Sequence, residues 1–144
     1  MSVPTWKRTE NELNLFVEAQ EFAVHILKIT FNEKIFKKEF KVSITDRLNQ
    51  LAMDIYLNLW KANHYKLGTS ERSSLQKLTL ESCIDFLAIW NLGIRAFHLK
   101  HRKTEYVVGK LIAIRDTTKK WIKSDIDRLA KNEPPIDIEN EAVK

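Results

Sequence analysis

Glycine and proline are nearly absent from this chain, and their scarcity constrains the fold more than any other sequence feature. Three of each occur in 144 residues, too few for a sheet with many tight turns. Between these breakers, apolar residues recur at steps of three and four, the repeat of a helix with one buried face. The sequence therefore predicts an all-α protein built from a few long helices.

Four segments carry this helical repeat, and the links between them are short. Long helices joined by short links usually pack as antiparallel neighbours, so we predict an up-and-down antiparallel four-helix bundle in residues 1–130. Residues 131–144 contain two adjacent prolines and four acids, a composition typical of a flexible acidic tail. The helices are expected at about residues 12–31, 45–65, 71–99 and 104–130.

Several residues between these segments have the chemistry of helix ends. Ser43 and Asp46 form a Ser-x-x-acid pattern, which predicts a capped start for the second helix. Gly68 suits the end of that helix, and Thr69 or the following serine suits the cap of the third. Thr104 is predicted to cap the fourth helix.

The third predicted helix is apolar around most of its circumference. One stripe consists of Leu80, Ile84, Leu87 and Ile94. A helix of this kind has to be covered on more than one side, either by a neighbouring copy of the chain or by the rest of its own bundle. We expect the first arrangement, with a self-association surface formed by Leu78, Phe86, Ile89, Trp90 and Phe97.

The chain has a formal net charge of +5 and a pI of about 9.3, which favours a polyanionic partner such as RNA or DNA. Basic residues cluster in the first and third connections, which would meet at one end of an up-and-down bundle. A further group is spaced by four along the fourth helix and would form a stripe. The alternative is a merely solvated surface. The predicted nucleic-acid-binding residues are Lys37, Lys38, Lys41, Arg47, Lys100, Arg102, Lys103, Arg115, Lys119 and Lys123.

Two aromatic residues alternate with the lysines of the first connection. Phe36 and Phe40 are expected to plug the end of the bundle rather than to stack on bases. This arrangement would hold the neighbouring lysines outward as one ordered surface that faces phosphates. Binding of this kind depends strongly on salt and weakly on sequence, because each phosphate contact releases counterions.

One spacing resembles a catalytic motif. Arg95 and His101 are five residues apart, as in some helical-bundle (HEPN-like) ribonucleases, where His101 would transfer protons and Arg95 would stabilise phosphate charge. The polar residue that usually adjoins the arginine is replaced here by Ile94 and Ala96. His98 lies near His101, but two histidines without an adjacent carboxylate or thiol make a poor metal site. We therefore predict no catalytic residue, metal or cofactor, with the ribonuclease as an alternative.

The remaining titratable residues indicate no chemistry. Asp125 and Asp127 are interpreted as solvent-facing residues near a helix end. Cys83 is the single cysteine, which excludes an internal disulfide and fits a reducing compartment. The first ten residues contain no apolar core of a signal peptide, and no uncharged apolar window approaches about eighteen residues. A cytoplasmic protein without a membrane segment is expected.

Several short motifs follow one another along the chain in a recognisable order. They are Phe36-Lys37-Lys38, Asp46-Arg47-Leu48, Ala52-x-Asp54-Ile55, Ala62-Asn63-x-Tyr65, Arg72, Leu75, Leu87, Leu92, Lys103-x-Glu105-Tyr106 and Trp121-Ile122-Lys123-Ser124. Together they cover about residues 12–126, and their order resembles that in accessory variability determinants, the four-helix-bundle accessory proteins of diversity-generating retroelements. A related bundle family, encoded within ribosomal RNA intervening sequences, shares the fold and leaves the function unassigned.

The resemblance implies a non-enzymatic partner of a reverse transcriptase. Such proteins form homopentamers, bind nucleic acid and contact the polymerase, and they support adenine-mutagenic copying of a template repeat into a target gene. This chain departs from the family at Lys37, where a proline is usual, and in its third helix, whose middle lacks the usual arginine. Contacts made by that arginine in relatives therefore cannot be transferred to this chain.

Overall fold

The computed structural model describes residues 10–32, 34–98 and 101–131, and within these residues it contains helices and no strand. Four long helices follow one another along the chain, which confirms the predicted all-α class. Their ends lie within a few residues of the predicted ones. They are α1 (Glu10–Thr30), α2 (Asp46–His64), α3 (Ser70–Phe97) and α4 (His101–Lys131).

The chain enters α2 through a continuous helical turn and not through a capping box. A 3-10 turn (Lys38–Phe40) runs into a π-helical turn (Lys41–Thr45), which runs into α2. Thr45 is already helical and makes no side-chain cap, while the Ser43 hydroxyl donates to the Phe40 carbonyl at 3.3 Å. The predicted cap is therefore wrong, because the preceding helical turn continues directly into the first turn of α2.

The other two connections agree only in part with the predicted caps. Thr69 caps α3 as expected, since its hydroxyl oxygen accepts from the Arg72 backbone N–H at 3.3 Å. Gly68 has a φ of 94°, a left-handed conformation that glycine adopts without steric cost. Thr104 does not cap α4, because the helix begins three residues earlier, at His101, and encloses it.

The core runs between the helices and is closed at one end by the first connection. Phe36 is buried there, with its ring centroid 5.9 Å from that of Trp90. Two further edge-to-face ring contacts tie α1 to its neighbours: Phe22 to Phe86 at 5.2 Å, and Phe16 to Trp121 at 5.5 Å. The fully buried aliphatic side chains include Ala19, Ile26, Leu48, Ala52, Ile55, Leu59, Ala62 and Val107.

The buried face of α3 is not the predicted apolar stripe. Ile84 is 64% exposed, and the buried side chains instead include Arg72, Gln76, Thr79, Cys83, Phe86 and Trp90. Three of these residues are polar, so counting apolar residues along the helix could not identify the face. Arg72 makes an ion pair inside the bundle, described below, and this pair turns the polar side of the first turns of α3 inward.

Contacts between helices link particular positions along their lengths. The Thr30 hydroxyl at the end of α1 donates to Asn49 Oδ1 in α2 at 2.8 Å. The His25 ring, also late in α1, lies 4.7 Å from that of Tyr106, early in α4. Within the part of the chain that the structure describes, no helix combines the length and apolar content needed to cross a membrane.

Candidate nucleic-acid interface

The first connection holds its lysines on the outside of an ordered turn. The backbone N–H groups of Ile35 and Phe36 both donate to the Asn32 carbonyl at 2.9 Å. Because Phe36 is buried, the side chains of Lys37 and Lys38 project into solvent. The predicted role of Phe36 as a plug is confirmed, and Phe40 is half-buried.

Lys103, from the beginning of α4, lies near the end of α1. Burial lowers the pKa of His25 below its ordinary value of 6.5, and the positive charges of Lys103 and Lys28 lower it further. Lys103 is thus close enough to α1 to act on a residue of its last two turns. We call the exposed and half-exposed basic residues around this point the basic end: Lys28, Lys34, Lys37, Lys38, Arg47 and Lys103.

Three predicted binding residues have side chains outside the described part of the structure. Lys41 lies in the π-helical turn, and Arg102 lies in the first turn of α4. Lys100 lies outside the described residues altogether.

The predicted stripe on α4 is less uniformly basic than its spacing indicates. Arg115 donates through Nε and Nη2 to the neighbouring Asp116 carboxylate, both at 3.1 Å. Lys119 and Lys123 are exposed. A shallow hollow of about 390 Å³ lies towards the end of α4 and is lined by Lys120, Lys123, Ser124, Asp127, Arg128 and Lys131.

A pocket of about 250 Å³ opens within the basic end. It lies between the end of α1, the first connection and the beginning of α2. Phe31 forms one side and is 76% exposed. Sequence reasoning missed this pocket, because the exposed phenylalanine follows the helical repeat of α1 and was assigned to no site. The lining residues are Thr30, Phe31, Phe36, Lys37, Lys38, Thr45, Asp46 and Asn49.

A buried ion pair lies between the beginning of α3 and the last turns of α4. Arg72 Nε and Nη2 donate to the two Asp125 carboxylate oxygens at 2.7 and 2.8 Å, and Gln76 Nε2 donates to Oδ2 at 2.9 Å. Arg72 also lies 4.8 Å from the Trp121 ring centroid. The interpretation of Asp125 as solvent-facing is therefore wrong, whereas Asp127 is exposed.

The predicted self-association residues of α3 do not share one surface. Phe86 and Trp90 have no exposed area in the single chain, which corrects their assignment, since a second copy could not reach them. Leu78 is exposed, Ile89 is half-buried, and the side chain of Phe97 lies outside the described residues. An apolar groove of about 270 Å³ lies between α3 and α4, lined by Cys83, Ile84, Leu87, Ala88, Asn91, Leu111, Ile112 and Arg115.

The structure describes the side chain of one of the two residues of the ribonuclease alternative. Arg95 is exposed in the last turn of α3, and the side chain of its proposed partner His101 lies outside the described residues. Among the described residues, no three metal-ligating side chains cluster together. Burial raises the pKa of the Cys83 thiol to about 12, so this thiol is almost entirely protonated at neutral pH.

Comparison of the chain with protein-family models, with curated proteins and with solved structures finds no match. The family resemblance therefore depends on the ordered motifs in the sequence.

Proposed function

We propose that this protein is a non-enzymatic nucleic-acid-binding bundle whose basic end contacts the phosphates of RNA or DNA. The observation that carries the proposal is the grouping of lysines and an arginine from separate parts of the chain around the end of α1. Among the described residues, no carboxylate forms an ion pair with Lys37 or Lys38. Exposed, uncompensated charges of this kind attract a polyanion.

The proposal includes an up-and-down antiparallel arrangement of the four helices. Support comes from contacts whose positions run in opposite directions along neighbouring helices. Thr30 of α1 contacts Asn49 of α2, while Gln20, further back in α1, lies 3.5 Å from the hydroxyl of Tyr56, further forward in α2. Arg72 at the start of α3 likewise pairs with Asp125 near the end of α4. In this arrangement the first and third connections share an end.

We further propose that the protein serves a diversity-generating retroelement in the cytoplasm, where it would assist a reverse transcriptase in mutagenic copying. This part follows from the resemblance described above, with Lys38 and Arg47 inside the matching motifs. The basic end would hold the nucleic acid close to the polymerase.

Self-association, as a homopentamer by the same resemblance, would use the outer side of α3. Leu78, Ile84 and Leu92 are exposed along this helix, and Ile84 adjoins the apolar groove between α3 and α4. Apolar side chains exposed beside an apolar groove are typical of a protein interface.

The function is tested by measuring the affinity for a labelled oligonucleotide as a function of salt. We expect the double variant Lys37→Ala/Lys38→Ala to bind more weakly at low salt. The slope of log affinity against log salt should fall by about 0.7 to 0.9 for each lost phosphate contact. The matched control is Lys61→Ala/Lys66→Ala, which removes two exposed lysines from the end of α2 and the second connection.

The two double variants have the same net charge, so the comparison separates the location of the charge from its amount. Equal weakening by both would show a diffuse attraction without a site. No detectable binding by the unmodified protein would contradict the proposed function itself. Circular dichroism checks that both variants keep the helical content of the parent.

A further inference from the structure

We propose that the pocket beside Phe31 receives one unstacked base of a nucleotide, with the adjoining phosphates held by Lys37 and Lys38. The inference rests on the proposed function and specifies it further, because it assigns a preference for unpaired bases over duplex. The ligand is a nucleobase with a phosphate, presented either by a single-stranded polymer or by a free nucleotide.

Phe31 is the wall on which a base would stack. Its ring is 76% exposed immediately after the last turn of α1, although burial of an aromatic side chain is strongly favourable. A single-stranded nucleic acid presents aromatic faces that stack on such rings, whatever the identity of the base. The exposed ring at this position is therefore suited to stacking on a base.

The dimensions of the pocket suit a single ring system. Its volume of about 250 Å³ is below the roughly 300 to 1,000 Å³ of pockets that enclose drug-sized ligands. Phe36, buried in the core, closes the side toward the bundle. A base stacked on Phe31 would occupy the pocket without opening the core.

The inner wall supplies polar groups for the edge of a base. Asn49 uses its Oδ1 to accept from Thr30 at 2.8 Å, which directs its amide Nδ2 away from that contact and leaves it able to donate. The Thr45 hydroxyl, on the same wall, is buried without a hydrogen-bond partner within the described residues. Buried polar groups usually have hydrogen-bond partners. A bound base could provide a partner for the Thr45 hydroxyl after a small shift of the base or of the threonine side chain.

Charge fixes the orientation of the nucleotide in the pocket. Asp46, Lys37 and Lys38 all line the pocket and are exposed. The Asp46 carboxylate repels phosphate and can accept from the amino or imino groups of a base, whereas the two lysines attract phosphate. The base is therefore expected on the side of Asp46 and the phosphates beside the lysines.

The test compares single-stranded and duplex oligonucleotides of one sequence, bound to the parent protein and to Phe31→Ala. Loss of one stacked base should weaken single-strand binding by about 5- to 150-fold. Duplex binding should stay within about twofold, because its bases remain stacked inside the helix. An oligonucleotide that lacks bases should bind both proteins equally.

Two further variants separate stacking from general effects of the substitution. Phe31→Tyr keeps an aromatic face and should retain single-strand affinity. Val42→Ala removes another highly exposed apolar side chain of the first connection that does not line the pocket, and it should change nothing. A nucleoside monophosphate is then added as a competitor. If it displaces the oligonucleotide at a concentration close to that of the oligonucleotide, the ligand is a free nucleotide; if it does not, the ligand is the polymer.

Several results would overturn the inference. One is equal single-strand affinity of Phe31→Ala and the parent; another is an equal loss with duplex or with the base-free oligonucleotide. A change in oligomeric mass with unchanged binding would instead place Phe31 in an interface between copies. If the parent binds duplex and single strands alike, the proposed function survives and the base pocket does not.

Discussion

Basic side chains have opposite environments in two regions of this bundle: buried in one and exposed in the other. In one region Arg72 is 2% exposed, and its guanidinium is held by the Asp125 carboxylate and the Tyr65 carbonyl. Gln76 donates to the same carboxylate. At the basic end, Lys37 and Lys38 are exposed and beside a pocket. A buried charge whose partners lie inside the chain is unavailable to a ligand, and removal of one partner leaves the other charge buried and unpaired. An exposed charge without carboxylate partners contributes little to stability and is available to phosphate.

The largest effect is expected from breaking the buried pair. Asp125→Ala would leave the Arg72 guanidinium in the core without its carboxylate, which typically costs roughly 3–5 kcal/mol of unfolding free energy. Urea denaturation measures this loss. The matched control is Asp127→Ala, two residues away and exposed, for which a change within about 0.5 kcal/mol is expected. Equal effects of the two substitutions would contradict the assigned role of Asp125.

An intermediate effect is expected at the outer side of α3. Ile84→Asp places a charge beside the apolar groove and should prevent association of copies while leaving each copy folded. Light scattering measures the mass, and circular dichroism measures the helical content. Val17→Asp, on the exposed side of α1, is the control. If the parent is already a monomer, or if both variants keep the mass of the parent, the proposed interface is wrong.

The smallest effect concerns His25 at the basic end. Lys103→Ala removes one of the two nearby positive charges that lower its pKa, so the pKa should rise toward 6.5 in an NMR titration. Because the folded protein favours the neutral imidazole, the stability contributed by His25 is present above pH 6.5 and is lost as the pH falls through the lowered folded value. Lys103→Ala should weaken that acid dependence.

Lys61→Ala serves as the reference for this titration, since Lys61 is exposed in the last turn of α2 and is absent from the charges that act on His25. An unchanged pKa in Lys103→Ala would mean that the beginning of α4 does not approach α1 in solution. The basic end would then be two separate clusters.

The sequence predicts the positions of the helices better than it predicts which face of each helix is buried. Four uninterrupted apolar repeats suffice to place α1 to α4, because periodicity is local. The buried side of α3 depends on the pairing of Arg72 with Asp125, 53 residues away, and no local pattern reports such a partner. The same pairing explains why an acid near the end of α4 was assigned to solvent.

The charges of the proposed binding site are predictable from the sequence, and its shape is not. Lys37 and Lys38 form a visible basic run in the sequence beside Phe36. The alternation of phenylalanine and lysine in this connection indicates that it is anchored to the bundle. The pocket requires the end of α1, the π-helical turn and the first turns of α2 to come together. Phe31 gives no signal of its own, because a phenylalanine at the end of an apolar repeat is usually part of the core.

The most direct test of the basic end as a phosphate-binding site is the pKa of His25 in the protein alone and saturated with a single-stranded oligonucleotide. Phosphates bound beside Lys103 and Lys28 would offset the positive charges that lower this pKa, so it should rise in the complex. A saturated complex in which the His25 pKa is unchanged would contradict the account, because the nucleic acid would then lie elsewhere on the bundle.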